Sequence, residues 1–425
     1  MQLFSFLKKE FVKNVLTLIT GSALSQVVVY ASILLLTRLF SAELFGIYIL
    51  FSSATIILKP LATLQFEFAI VLPKKDKDAI NLFAFSTLIL ILYCLLLLLI
   101  VSLFKTEILD FFNVTVLSNF IYLLPLNVFL FGLIANFDYW NNRNDNFKAI
   151  SKGLFLKSSS MSATQIATGF SSYNSLGLIP GMLIGHVLQI FYLLQLTYNK
   201  LQPLCKEVSL NRMLFLAKKY KDIPIFNSII NLTNNLSNEL PVLLITKYFG
   251  LASSGIYGLA VKFMKAPIGV VQQSVNQVFF NKATKLYNDQ GNLYALVLKT
   301  AKHLLIISLL IFTPLFILSY YLEFLFGEGW TDVGLYARIL IPWLFFAFLS
   351  NPLNSLILIL NKQKTMLVLD IALLIFRFLA LFCGYYLYND IIIALALFSM
   401  VGMIFNILIF IYLLQTSKEK NSAYQ

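Results

Sequence analysis

Apolar runs of roughly 20 residues recur from one end of the chain to the other, separated by short polar connections. A helix rises 1.5 Å per residue, so each run is long enough to cross a hydrocarbon layer about 30 Å thick. The pattern predicts about twelve spans: 14–38, 44–72, 79–104, 117–140, 147–171, 174–198, 222–247, 252–281, 296–321, 333–360, 365–388 and 391–415. A transmembrane β-barrel would show short alternating segments instead. The fifth span is the least apolar. It carries Lys152, Lys157 and the serines Ser158, Ser159, Ser160 and Ser162, and is expected to face lipid on only part of its surface.

The connections alternate in charge. Lys8, Lys9 and Lys13 precede the first span, Lys74, Lys75 and Lys77 follow the second, and Arg143 and Lys148 follow the fourth. Lys200, Lys206, Arg212, Lys218, Lys219 and Lys221 follow the sixth, Lys282 and Lys285 the eighth, Lys362 and Lys364 the tenth, and Lys418 and Lys420 end the chain. The intervening loops hold few cations and several acids, among them Asp110, Glu323, Glu328 and Asp332. Basic loops stay on the cytoplasmic side, so both termini are expected there. The longest polar connections, near 199–221 and 282–295, read as amphipathic surface helices. Trp140, Trp330 and Trp343 fall near predicted span ends, where indole rings anchor a membrane interface.

Composition sharpens this reading. The chain is 59% hydrophobic and 12% charged, against about 25% charged for soluble proteins, which excludes an ordinary soluble domain and a disordered chain. The net charge of +13 records basic loops beside anionic lipid rather than a nucleic-acid surface, so no nucleic-acid partner is expected. Cys94, Cys205 and Cys383 are scattered and only His186 and His303 accompany them, so no metal-ligand spacing exists. No phosphate-binding G-x-x-x-x-G-K-[ST] loop occurs. The first apolar run lacks a small-residue cleavage site and is expected to remain as a transmembrane helix.

The chain also repeats itself. Leu36-Thr37-Arg38-Leu39-Phe40 followed by Gly46-Ile47-Tyr48 and Leu50 matches Ile245-Thr246-Lys247-Tyr248-Phe249 followed by Gly255-Ile256-Tyr257 and Leu259, at an ungapped offset of 209. An even number of spans separates the copies. The expectation is a parallel repeat: an N-terminal six-helix lobe over 1–200, a cytoplasmic amphipathic linker over 201–221, and a C-terminal six-helix lobe over 222–425. Each lobe carries a proline after a lysine in its second span, Lys59-Pro60 and Lys265-Ala266-Pro267. Interrupted helices at matching places in two halves mark transporter sites, although the prolines alone would also serve packing.

Charges in mid-membrane cost about 2.5–3.5 kcal/mol on insertion scales, so they face a cavity or a partner. Lys59 and Glu67 (second span), Asp138 (fourth), Lys157 (fifth), Lys262 and Lys265 (eighth) and Arg377 (eleventh) are such charges. Lys59, Lys262 and Lys265 form a candidate cationic site for an anionic substrate; internal ion pairs, such as Lys59 with Glu67, are the alternative. In the seventh span Asn227, Asn231, Asn234 and Asn238, with Asn235 and Glu239 beside them, make a polar stripe. Gln272, Gln273 and Asn276 extend it. Amides donate and accept, which suits sugar hydroxyls or a wet lumen; interhelical hydrogen bonding is the plainer use. Glu67, Asp138 and Glu239 are candidates for ion coupling. Gly177, Gly181 and Gly185 recur every four residues and predict a close-packed helix face. Asp76-Lys77-Asp78 matches a D-x-D pattern too short to carry a catalytic reading.

Several segments together resemble a known family. Leu36 to Gly46, Phe66-Glu67-Phe68-Ala69-Ile70-Val71-Leu72-Pro73-Lys74, Tyr139-Trp140-Asn141-Asn142-Arg143 with Phe147-Lys148, Glu239 to Leu244, Gln277 to Phe280 and Ala337 to Phe345 are similar, in order and spacing, to segments of the Wzx-type polysaccharide flippases. That group is related to lipid II flippases and to multidrug and toxin extrusion antiporters. The resemblance covers most of the chain; Phe40 and Phe68 depart from the more typical residues. It implies an all-α polytopic membrane protein with two six-helix lobes around a central cavity. It implies a secondary transporter rather than an enzyme, moving undecaprenyl-pyrophosphate-linked oligosaccharide from the cytoplasmic to the periplasmic leaflet of the bacterial inner membrane by alternating access. O-antigen, capsule and other surface polymers remain equally open. No cofactor is implied beyond H⁺ or Na⁺ gradient coupling. Partners implied are the lipid-linked oligosaccharide, membrane lipids, a polysaccharide polymerase and a chain-length regulator. Two rivals stand beside it: a cation-coupled multidrug antiporter of the same fold, expected to place carboxylates rather than lysines in its cavity, and a membrane polymerase or ligase, expected to carry a large external loop.

Overall fold

The computed structural model describes residues 2–171, 177–360 and 362–422; the side chains of 2–19, 119, 225, 226, 266, 270, 273, 274, 277, 281 and 420–422 lie outside that description. The described residues form helices and connections, and packing divides the chain into two compact units, Met1–Glu239 and Leu240–Gln425. The first unit holds α1 (Gln2–Leu39), α2 (Ala42–Ala62), α3 (Asp76–Leu103), α4 (Lys105–Phe112), α5 (Leu123–Arg143), α6 (Phe147–Gly169), α7 (Leu178–Cys205), α8 (Leu210–Lys219) and the start of α9 (Asp222–Asn288). The second holds the rest of α9, then α10 (Leu293–Ser319), α11 (Leu322–Phe326), α12 (Val333–Ser350), α13 (Ser355–Ile359), α14 (Gln363–Tyr388) and α15 (Ile391–Ser422).

Ten helices among the described residues are long and apolar enough to cross a membrane, and the protein is a multi-pass membrane protein. One candidate span, Asp222–Gly269, has 48 residues. A straight helix of that length would run about 72 Å, more than twice the hydrocarbon thickness. It does not run straight: Gly250 adopts φ 87 and ψ 175 and divides it. A side chain is strained at that φ, so glycine is what permits the break. Gly250 lies 209 residues after Ser41, the N-cap of α2. The sequence repeat thus marks the same helix–break–helix junction twice. Counting 222–269 as two crossings and adding α6, which its lysines and serines keep below the apolar threshold, restores the expected twelve.

The first unit is apolar outside and partly polar inside. Leu92, Leu95, Leu96 and Leu99 of α3 are exposed, whereas Glu67, Asn127, Asn136, Gln165, His186 and Gln189 are buried. Lipid favours this arrangement because Asn127, Asn136 and Gln165 find partners inside that hydrocarbon cannot supply. Ser86 donates to Asn136 Oδ1 (2.7 Å) and Asn136 Nδ2 to Thr87 (3.1 Å), joining α3 to α5. Ser32 and Ser162 meet at 2.9 Å between α1 and α6. The glycine face of α7 packs on α6: a Cβ at Gly181 would lie 2.5 Å from Gln165 Cγ, and one at Gly185 2.9 Å from the Lys157 carbonyl oxygen.

Three expectations change. The second span ends as a helix at Ala62 rather than near 72, because Leu64 and Gln65 both take positive φ and lead into a 3-10 helix, Phe66–Val71. The tenth span keeps its expected extent, Val333–Ile359, although its α-helix pauses in a short 3-10 turn at Asn351–Leu353. Residues 282–288 continue α9 instead of forming a separate surface helix. The three tryptophans are core residues, not interface anchors. Trp140 and Trp330 are 1% exposed and Trp343 4%. Trp140 stands edge-on to Phe83 and Trp343 edge-on to Phe398. A large ring near a span end gains more from packing than from the interface when a groove is there to take it.

Gly185→Val should force α6 and α7 apart and destabilise the protein by about 1–3 kcal/mol, as overpacking does. Thermal unfolding in detergent should show a lowered Tm. Gly269→Ala, where an added Cβ meets nothing within 4 Å, should leave Tm at or above that of the unaltered protein.

Candidate functional site

The site begins with Pro60. Proline has no N–H, so the carbonyl four residues earlier, that of Ile56, loses its helical donor. Asn235 of α9 replaces it, donating from Nδ2 to the Ile56 oxygen at 2.8 Å. One turn away Asn231 Nδ2 donates to Gln65 Oε1 (3.1 Å), and on the other side Ser53 of α2 donates to Glu239 Oε2 (2.6 Å). Asn231, Asn235 and Glu239 are thus one row of α9, spaced by four, that lies along α2 in antiparallel sense. Asn227 and Asn234 are half-buried and Asn238 is exposed, its amide donating to the Asn234 carbonyl of its own helix. The stripe predicted as a single surface therefore has two faces, one spent on α2 and one open.

Around Lys59 the first unit collects charge. Its ammonium stands 4.4 Å from the centroid of the Phe131 ring, and its charge acts on Glu67, Asp138 and Lys157. Lys157 interacts with Asp138 as well, so two lysines and two carboxylates from α2, the 3-10 helix, α5 and α6 share one region. Glu67 is 2% exposed and accepts from the Thr63 hydroxyl at 2.5 Å. Oδ1 of Asp138 is buried without a hydrogen-bond partner, as are both amide atoms of Gln189. A buried polar atom left unpaired costs about 1–3 kcal/mol. Beside it runs a chain the sequence reading missed: His186 Nδ1 to Asn127 Oδ1 at 2.9 Å, then Asn127 Nδ2 to the Thr55 hydroxyl at 2.9 Å. Two polar residues inside apolar runs, Asn127 and His186, were the available signal.

In the second unit Lys262 is half-buried and Lys265 exposed. The Lys265 ammonium lies 5.3 Å from the Trp343 ring, and the Arg377 guanidinium lies 4.7 Å from the same ring and 4.9 Å from Phe398. Gln272 donates to the Ala347 carbonyl at 3.3 Å, Asn276 is exposed, and the side chain of Gln273 lies outside the described residues. Lys59 belongs to the first unit and Lys262 and Lys265 to the second. Among the described residues no group of three or more His, Cys, Asp or Glu is placed to hold a metal.

The D-x-D pattern is structural. Asp76 and Asp78 open α3, where carboxylates complement the helix dipole. Arg143 of α5 bonds Asp76 at 2.9 Å and also reaches the carbonyls of Val71 and Pro73. Arg212 of α8 bonds Asp78 at 2.8 Å, Lys77 pairs with Glu207, and Asn81 bonds the backbone of both Glu207 and Ser209. The segments 66–74 and 139–143 are therefore pinned to each other, and the linker beyond α7 is pinned to α3.

Residues 35–334 match the model of a family described as polysaccharide biosynthesis protein. The chain belongs to that family. No curated protein matches the chain significantly. Among solved structures, this polysaccharide biosynthesis protein is similar to the lipid II flippase MurJ in an inward closed conformation, with 15% identity, 94% of this chain and 90% of that chain covered, and a TM-score of 0.73. It is also similar to an outward-facing multidrug resistance MATE family transporter of the MOP superfamily, with 12% identity, 98% and 96% covered, and a TM-score of 0.64. An inward-facing MATE family transporter of that superfamily matches at 14% identity, 96% and 95% covered, and a TM-score of 0.60. The fold is that of these polytopic proteins.

The proline–amide contact gives a thermodynamic test. Asn235→Leu should cost about 1–3 kcal/mol by leaving the Ile56 carbonyl unpaired. In a Pro60→Ala background the backbone N–H returns, and the same substitution should cost much less. A double-mutant cycle read by unfolding in detergent measures the difference; equal costs in both backgrounds would contradict the assignment.

Proposed function

We propose that the protein is a flippase for undecaprenyl-pyrophosphate-linked oligosaccharide units, moving them from the cytoplasmic to the periplasmic leaflet of the bacterial inner membrane by alternating access during surface-polysaccharide assembly. The observation that carries this reading is the collection of lysines, carboxylates and amides held inside an apolar shell in a chain of a polysaccharide biosynthesis family. A pyrophosphate and its sugars cannot enter hydrocarbon unaided, since each unpaired polar group costs several kcal/mol there. Lys59, Lys262 and Lys265 are assigned to the pyrophosphate. The open face of α9, Asn227, Asn234 and Asn238, with Gln272, Gln273 and Asn276, is assigned to the sugars and their water; Asn231, whose amide donates to Gln65, is assigned to the edge of that lining. Glu67, Asp138 and Glu239 are assigned to gradient coupling, H⁺ or Na⁺, by which a carboxylate that gains or loses its ion alters the grip of the neighbouring lysine. The basic loops favour both termini in the cytoplasm, and a polysaccharide polymerase and chain-length regulator are the expected neighbours in the membrane.

A multidrug antiporter is the second reading, favoured by the fold likeness to MATE transporters and by the buried carboxylates. Translocation of a lipid-pyrophosphate oligosaccharide in proteoliposomes separates the two. The unaltered protein should flip it, and Lys59→Ala, Lys262→Ala and Lys265→Ala should each slow it by about tenfold or more, the scale of one lost charge-assisted contact. Full rates in all three well-folded variants would discard the lysine site. No flipping by the unaltered protein, with export of a cationic drug instead, would favour the antiporter.

A further inference from the structure

On the lipid-facing side of the first unit, α3 and α5 leave an apolar groove of about 380 Å³, lined by Cys94, Leu95, Leu98, Tyr122, Leu126 and Phe129. It lies far along α3: Leu98 is about 33 Å up the helix from Asp76, at the end away from the basic loops. Leu95 is 57% exposed and Tyr122 42%, so the groove is open to the bilayer. A cation stands at its mouth. The Lys105 ammonium, at the start of α4, lies 5.1 Å from the centroid of the Tyr122 ring. Glu107 and Asp110 follow on α4, and Thr106 donates to Glu107, so Lys105 is the cation beside the lining ring in an otherwise acidic short helix.

We propose that this groove seats the polyprenyl chain of the product lipid, with its pyrophosphate at Lys105, after the headgroup has reached the outer leaflet. The assignment rests on the flippase reading above and adds an exit station to it. Two features select such a lipid over the bulk phospholipid around it. A pyrophosphate bridging lipid and sugar carries about two negative charges where a phosphodiester carries about one, and is drawn more strongly to a single lysine at a low-dielectric boundary. A chain with a methyl branch on every isoprene unit fills a broad groove floored by Leu95, Leu98 and Phe129 with more van der Waals contacts than a straight acyl chain. The seat is separate from the charged interior, because Phe129 and Phe131 of α5 project about 200° apart around the helix: Phe129 lines the groove while Phe131 carries Lys59.

The test uses the full chain in phosphatidylcholine nanodiscs with two photoactivatable probes at equal mole fraction, benzophenone-tagged undecaprenyl-pyrophosphate oligosaccharide and benzophenone-tagged phosphatidylglycerol. Peptide mapping should find the polyprenyl probe on 91–98 and 122–129 at about tenfold the yield of the phospholipid probe. Lys105→Glu, a change of a half-buried side chain at a helix start, should lower that yield about fivefold or more, the scale of one basic residue beside an anionic headgroup. Leu95→Trp should block it by filling the groove. Equal labelling by phosphatidylglycerol, or labelling indifferent to Lys105→Glu, would overturn the seat and leave an ordinary lipid-facing crevice. Translocation measured on the same preparation keeps the two readings apart: flipping without preferential labelling refutes the seat alone, and preferential labelling without flipping refutes the flippase alone.

Discussion

An unpaired peptide group in hydrocarbon has no water to turn to, and each one costs several kcal/mol. That constraint governs this protein. It makes the described spans helical, and it makes the interruption at Pro60 answerable to a specific partner. At Pro60 the freed Ile56 carbonyl receives the Asn235 amide. Where α2 ends, Gln65 is held by Asn231 and Glu67 by Thr63. The start of α9 is bound to the N-terminal helices by these contacts, which is why packing places it with the first unit. An irregular backbone in a membrane survives only where side chains or water satisfy it, and polar side chains gathered for that purpose are also what a polar cargo needs.

The interior of the first unit carries this logic from packing to chemistry. Serines and asparagines between α1, α3, α5 and α6 are paired and stabilise helix contacts by about 0.6 kcal/mol each. The charges around Lys59 are different in kind. They occur as a mixed group of lysines and carboxylates, with one Asp138 oxygen and the Gln189 amide left unpaired. In the proposed flippase the lysines are what would meet the anionic headgroup, and the carboxylates beside them would keep that grip from being too tight.

Much of the fold was legible because hydrophobic length and charge alternation are direct consequences of the bilayer. The spans, the glycine face of α7 and the junction at Gly250 follow from run length, i, i+4 spacing and an ungapped repeat. The end of α2 was not legible, because Leu64 to Val71 stays apolar after the backbone leaves the helix; hydropathy reports burial and says nothing of φ. The tryptophans misled for a related reason, since position near a span end does not reveal whether a groove is waiting. The amides were legible as a stripe but not as two faces. Which of them α2 consumes depends on the proline that creates the vacant carbonyl, a coupling between residues 60 and 235 that no local pattern contains.

The central claim is that the polar interior exists to carry an anionic headgroup across the membrane. The most direct measurement compares, in proteoliposomes of the unaltered protein, the translocation of a polyprenyl-pyrophosphate oligosaccharide with that of the same oligosaccharide on an uncharged polyprenyl ether. The account predicts transport of the pyrophosphate lipid at least about tenfold faster than the uncharged one. Equal rates for the two would mean that the lysines do not read the headgroup, and the account would fail.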